Sequence, residues 1–333
     1  MIVKPKVVII GTGGTIAGRA SASTDLSYNA GELSVEDLLS AIPGLNDLAD
    51  VSSINLFALN SKDMGPEEWL RLAVSVEAYA KDPDISGIVV THGTDTLEET
   101  ALFLELTLQT RKPVVITGSM RASTALSADG PSNLYQAVQV SGASCSKGRG
   151  VLVVFNGEIF AGSRVIKDYS INTNAFSATA GGLIGSVYSG YTFFFVPSGV
   201  STHHGAFHEA LRSDQELPRI GVHYITAGGN DAVLASLEPS ECDGLVIAAL
   251  GGGEIPEKLV TRLMSFAECG IPIVVSSRVT NVTVMPETMT LKEGGNIVAS
   301  RHFNPQKSAV LLALVLATRS NLIDVFAHAD IAE

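Results

Sequence analysis

Cysteine is scarce in this chain: three residues in 333, Cys145, Cys242 and Cys269. An odd count without metal-like spacing excludes a disulfide framework, so these read as buried or incidental thiols. Long apolar runs are also lacking. The longest, Val310 to Ala317, falls short of the roughly 20 residues that cross a bilayer and fits a buried helix. Cations are in deficit, 22 Lys and Arg against 34 Asp and Glu, for a net charge of −12. That balance argues against nucleic acid and anionic membranes as partners. The first apolar stretch, Val7-Val8-Ile9-Ile10, is too short for the core of a secretory leader. The expected location is cytoplasmic.

Several familiar signatures are missing too. A dinucleotide loop beginning at Gly11 would need glycine at position 16, which is Ile16. No Gly-Lys-Ser/Thr follows either, which removes the phosphate loop. No G-x-S-x-G elbow exists for a Ser-His-Asp hydrolase. His204 and His208 are four apart, on one face if helical, but no third ligand has useful spacing, and no metal is expected.

What is present is a globular composition, 46% hydrophobic and 17% charged, in a chain long enough for two domains. In the first half, short β-branched runs alternate with helical spacing. Strands are expected at Val7 to Ile10, Ser53 to Leu59, Gly87 to Thr91, Pro113 to Thr117 and Val151 to Phe155. Helices are expected at Pro66 to Tyr79, from Thr96 with a Thr96-x-x-Glu99 capping box, and at Ser132 to Val140. Buried runs of this kind indicate a parallel sheet covered on both faces. Gly157 to Val196 reads as hairpins. A second α/β unit follows, with strands at Ile220 to Ile225, Gly244 to Leu250 and Pro272 to Ser276. Its helices begin near Asn230 and Pro256, and Pro305 to Ala317 closes it. The predicted fold is α/β, with a larger N-terminal domain built on a parallel-type sheet covered by helices and a smaller C-terminal α/β domain. The expected boundaries are 1–196, a linker at 197–218, and 219–333.

Two Gly/Thr-rich turns carry the chemistry. Gly11-Thr12-Gly13-Gly14-Thr15-Ile16-Ala17-Gly18 and Thr91-His92-Gly93-Thr94-Asp95-Thr96 each follow a strand, about 80 residues apart. Open α/β sheets keep their chemistry at such strand ends. A hydroxyl nucleophile needs backbone freedom and a partner for its proton. Thr15, just past Gly13-Gly14, is the candidate nucleophile, and the plainer reading is a strand-to-helix turn. Thr94 and Asp95 read either as an N-cap or as a hydroxyl and a carboxylate that orient a water and grip a cation. A buried lysine could deprotonate Thr94, and Lys167 is the candidate; an ordinary surface lysine is the alternative. Tyr28 could relay a proton or simply pack. His92 is assigned a structural hydrogen bond.

These two turns resemble the paired signatures of the bacterial L-asparaginase/glutaminase family. The resemblance extends through Gly118-Ser119-Met120-Arg121, Ser127-Ala128-Asp129-Gly130-Pro131, Ser276-Ser277-Arg278 and Asn304-Pro305-Gln306-Lys307, over nearly the whole chain. It implies a cofactor-free amidohydrolase that releases ammonia from L-asparagine through a threonyl ester. It also implies a homotetramer of intimate dimers, with sites near the subunit interface. On this resemblance Thr15 attacks the amide carbon with Tyr28 beside it, and Thr94, Asp95 and Lys167 form the second hydroxyl/base group. Ser61 and Asp95 would hold the substrate's α-groups beside Gly14. Backbone N–H groups near Thr94 would stabilise the oxyanion.

Three positions depart from the family pattern: Lys62 where Gln or Glu is usual, Glu254 where Asn or Ser is usual, and Met289 where a partner-subunit glutamate usually falls. A second ammonium about 4 Å from the substrate's own would repel it by about 4 kcal/mol at an effective dielectric near 20. Lys62 escapes this by pairing with Glu254 or Asp95, or by pointing to solvent. The alternatives are therefore a same-fold amidase for another small ω-amide, and a non-catalytic amino-acid-binding homologue.

Overall fold

Val7 to Ile10, apolar and β-branched, lie at the centre of the first strand, where every side chain from Val7 to Gly13 is buried. The computed structural model describes residues 4–20, 28–29, 31–179, 181–188, 190–199, 204–212, 216–228, 232–281 and 283–328. They fall into two units, Met1–His208 and Glu209–Glu333.

In the first unit β1 (Lys6–Gly13) leads through a short 3-10 turn, Thr15–Ala17, to the two-residue strands β2 (Arg19–Ala20) and β3 (Tyr28–Asn29). The chain continues through α1 (Val35–Ser40), α2 (Leu45–Leu48), β4 (Asp50–Leu59), α3 (Pro66–Lys81), β5 (Gly87–Thr91) and α4 (Leu97–Thr107). Then come β6 (Val114–Thr117), α5 (Gly130–Gly142), β7 (Val151–Phe155), β8 (Glu158–Ala161), β9 (Val165–Lys167) and β10 (Phe176–Ala178). The unit's last strands are β11 (Leu183–Tyr188) and β12 (Tyr191–Phe194).

The main sheet has the order β12-β11-β8-β7-β6-β5-β1-β4. Its β4, β1, β5, β6 and β7 run parallel, and β8, β11 and β12 extend it in antiparallel fashion. Every residue of β5, β6 and β7 is buried, as a parallel sheet covered on both faces requires. Val7, Ile9, Val89, Val115 and Leu152 share a core with Leu134, Ala137 and Val138 of α5. Helices α3 and α4 lie against β5 and β7 outside that core. The chain leaves β1 toward β4 on one side and returns to β5 on the other. The C-terminal ends of β1 and β5 therefore flank a switch point in strand order, the usual location of a ligand crevice in such sheets.

The second unit is a parallel sheet of β13 (Ile220–Tyr224), β14 (Gly244–Ala249), β15 (Ile273–Ser277) and β16 (Ile297–Ala299), in that order. Around it are α6 (Ala232–Ser236), α7 (Glu257–Glu268), α8 (Pro305–Thr318) and α9 (Leu322–His328). The Asn304 side chain caps α8 by accepting the Lys307 N–H at 3.0 Å. Asn230, the expected helix start, lies outside the described residues.

Three expectations need correction. The Thr96 side chain makes no cap hydrogen bond; its hydroxyl donates to the Ser61 carbonyl at 2.8 Å instead. The first turn is not strand-to-helix. β1 stays paired with β4 as far as Gly13↔Leu59, Gly14 N–H donates to the Leu59 carbonyl at 2.8 Å, and only a 3-10 turn follows. The third correction concerns 197–218. Within it Gly205 N–H donates to the Glu105 carbonyl at 3.0 Å and Phe207 N–H to the Leu106 carbonyl at 2.9 Å. His204 Nε2 and His208 Nδ1 bind the Thr110 and Thr107 carbonyls at 3.1 and 3.0 Å. These bonds occupy carbonyls at and just beyond the C-terminus of α4, which the helix itself leaves without partners. The histidines are not on one helical face, because the local 3-10 turn begins at His208.

Candidate active site

The two threonine turns touch through glycine. A Cβ on Gly14 would stand 2.4 Å from Gly93 N and 2.5 Å from Gly93 Cα, and Gly14 also has φ of +78°. A Cβ on Gly93 would stand 2.6 Å from both Cβ and Oγ of Ser61. Only bare backbone lets β1, β5 and the Ser61 turn meet. Across the same seam Thr12 Oγ1 donates to the Thr91 carbonyl at 2.9 Å. Thr15, Ser61 and Thr94 are all buried.

Lys167 reaches this seam from β9. Its Nζ lies 2.8 Å from Thr94 Oγ1 and 2.6 Å from Asp95 Oδ1. The lysine side chain is only 15% exposed, whereas the Asp95 carboxylate is 65% exposed. Such a half-open pair adds little stability; it fixes geometry and leaves one carboxylate face open to a cation. Glu98, in the first turn of α4, accepts the Lys167 backbone N–H at 3.0 Å and so ties β9 to the helix that follows Asp95. As an ammonium Lys167 can only donate; it could accept the Thr94 proton only as a neutral amine.

A chain of neutral polar groups runs from half-buried Trp69 to the buried Thr100 and His92. Trp69 Nε1 donates to Thr100 Oγ1 at 2.9 Å, and Thr100 Oγ1 is 3.0 Å from His92 Nε2. His92 Nδ1 is 2.7 Å from the Gly93 carbonyl. A carbonyl only accepts, so Nδ1 carries the ring proton and Nε2 accepts from Thr100. Complete burial lowers the imidazole pKa to about 4, which keeps the ring neutral.

The substrate-binding candidates are placed as follows. Gly14 and Ser61 adjoin Gly93. Lys62 is exposed, and none of the described residues pairs with its ammonium. Of its three expected escapes, pairing with Glu254, pairing with Asp95 or pointing to solvent, the exposed side chain takes the last. Tyr28 pairs through its backbone with Ala20; its side chain lies outside the described residues. Glu254 belongs to the second unit, where its Oε2 accepts from Thr290 Oγ1 at 2.9 Å. Met289 packs on the core of that unit. Glu98, Thr100 and Trp69 carry no role that the sequence alone assigns. Their signal is weak, since a glutamate and a threonine on the first turns of a helix look like ordinary helix-start residues.

A pocketed hydroxyl on one turn, a hydroxyl–lysine–carboxylate group on the next and a half-open carboxylate together suit acyl transfer on a small cationic substrate. The likeness to known proteins agrees. Residues 6–197 match the family model "Asparaginase, N-terminal", and residues 219–325 match "Glutaminase/Asparaginase C-terminal domain". L-asparaginase 2 of Escherichia coli is 37% identical over 94% of this chain and 89% of its own length. The glutaminase-asparaginase of Acinetobacter glutaminasificans is 37% identical over 96% of both. The crystal structure named "Probable Cytoplasmic L-asparaginase from Campylobacter jejuni" superposes with a TM-score of 0.90 at 35% identity, covering 98% of this chain and 100% of that one. This chain belongs to the asparaginase/glutaminase family.

Proposed function

We propose that this protein hydrolyses the side-chain amide of L-asparagine to L-aspartate and ammonia through an ester on Thr15. Thr15 Oγ attacks the amide carbon, and the carbonyl electron pair moves onto oxygen, which backbone N–H groups near Thr94 stabilise. Collapse of that intermediate expels the amide nitrogen as ammonia, with the proton given up by the Thr15 hydroxyl delivered to it. Water then adds to the ester carbon, Thr15 leaves with a proton, and aspartate is released. Tyr28 assists at Thr15, and Lys167 acts as the base toward Thr94, whose hydroxyl orients the water. Ser61 and Asp95 hold the α-carboxylate and α-ammonium beside Gly14.

The observation that carries this reading is the approach of Lys167 Nζ to both Thr94 and Asp95, in a chain whose relatives are named for asparagine and glutamine hydrolysis. The exposed charge of Lys62 supports asparagine over an amide without the α-amine, since Asp95 then meets the substrate's ammonium unopposed. The test is ammonia release from L-asparagine by wild type, Thr15→Ala and Thr94→Val. Turnover in wild type with at least a thousandfold loss in both variants supports the reading; ammonia release surviving Thr15→Ala removes it.

The same reading includes a cytoplasmic homotetramer of intimate dimers. In its support, Tyr188, Tyr191 and Phe193 on the β11–β12 hairpin at the sheet edge, with Phe195 just beyond, are exposed, as a contact surface would leave them in an isolated chain. Sedimentation of the purified protein reads the assembly directly.

A further inference from the structure

We propose that His92 is a positioning residue for this reaction, holding the Gly93 carbonyl so that the N–H of Thr94 points into the site as an oxyanion donor. The inference rests on the acyl-transfer reading above and assigns work to a residue that touches no substrate.

The geometry is that of a single peptide plane. The Gly93 carbonyl and the Thr94 N–H belong to one trans peptide unit, so they point in opposite directions. His92 Nδ1–H grips that carbonyl at 2.7 Å, and the plane cannot rotate without breaking the bond. None of the described residues accepts from the Thr94 N–H, although Thr94 is buried. A buried donor that the described residues leave without an acceptor is uncommon and is what an oxyanion site requires.

The ring itself is held from behind. Thr100, steadied by Trp69, donates to Nε2, which leaves Nδ1 to carry the only ring proton. Because burial keeps the imidazole neutral, the same tautomer persists over the working pH range. The neighbouring bonds brace the rest of the turn: His92 N–H donates to the Thr117 carbonyl at 2.8 Å, and Thr96 holds Ser61. Among the described residues, the Gly93–Thr94 plane has its own support only from the imidazole.

Three variants separate this role from mere filling of the core. Asn at 92 can place its Nδ2–H where Nδ1–H stood; Gln reaches instead toward the Nε2 position; Leu removes both groups. Steady-state kinetics on L-asparagine, aspartate affinity by calorimetry and melting temperature would be measured for each. His92→Leu and His92→Gln should lower kcat ten- to a hundredfold, a fraction of the 10²–10³ that loss of a whole oxyanion donor costs. KM and aspartate affinity should stay within threefold, and His92→Asn should recover at least a third of the wild-type kcat. Equal kcat for the Asn and Gln variants would overturn the proposal, as would KM rising in step with the fall in kcat. Should Leu fail to fold, the Asn–Gln comparison, polar in both arms, still decides. Failure of the acyl-enzyme reading shows separately, as ammonia release that survives Thr15→Ala.

Discussion

Lys167 Nζ lies 2.8 Å from Thr94 Oγ1 although 73 residues separate them in the chain. Lys167→Met keeps the aliphatic stem and removes the amine. Loss of a positioned base costs roughly 10²–10⁴ in rate, so kcat for ammonia release should fall about a thousandfold. Stability should change by less than about 1 kcal/mol, because the partner carboxylate is largely solvated. Unfolding in urea, run beside the assay, checks both halves.

Gly14 sets the distance between the two turns. Gly14→Ala places a methyl 2.4 Å from Gly93 N at a φ of +78°, a conformation that strains L side chains by about 1–3 kcal/mol before any clash. The variant should lose at least about 2 kcal/mol in urea unfolding, and its activity with it. Gly199→Ala, which meets nothing within 4 Å, should stay within about 0.5 kcal/mol of wild type.

Acid should weaken the protein through His92. Its folded pKa, about 4, lies below the unfolded value near 6.5, so the unfolded chain binds more protons between those pH values and stability falls as pH drops through that window. The gap corresponds to about 3 kcal/mol. His204 works in the opposite direction. Burial alone would lower its pKa, but Glu105 and the Thr110 carbonyl outweigh that and raise it; its contribution is present at low pH and lost as pH rises through the folded pKa. Urea unfolding at pH 7, 5.5 and 4.5 should show a shallower acid loss in His92→Asn than in wild type.

The two turns of the candidate site are legible in the sequence. Repeated Gly-Thr turns after β-branched runs locate Thr15 and Thr94 at strand ends, because strand periodicity and glycine placement are local properties. The contact between Lys167 and Thr94 is not local; it depends on β9 being fastened to α4 through Glu98. Thr96 misled for the same reason. Its spacing to Glu99 is that of a capping box, yet tertiary packing gives its hydroxyl to Ser61. β16 carries no sequence signal, because three residues, Ile297–Ala299, are too few for a periodicity.

Substrate choice tests Lys62. With its ammonium exposed, Lys62→Gln should change KM for asparagine by less than about threefold, within the range of a screened surface charge. Wild type should turn over asparagine faster than succinamate, which lacks the amine that Asp95 would hold. A preference for succinamate would point to an altered amine pocket.

Hydrogen bonds from residues 205–208 to the end of α4 have a consequence for how this protein can be divided. A gene split after residue 212 would encode a first fragment that retains its own strap, with Phe207 still buried and the helix carbonyls still covered. The second fragment would begin ahead of β13 and carry a complete four-stranded sheet. Expressed one at a time, the two pieces allow each unit's own unfolding transition to be measured.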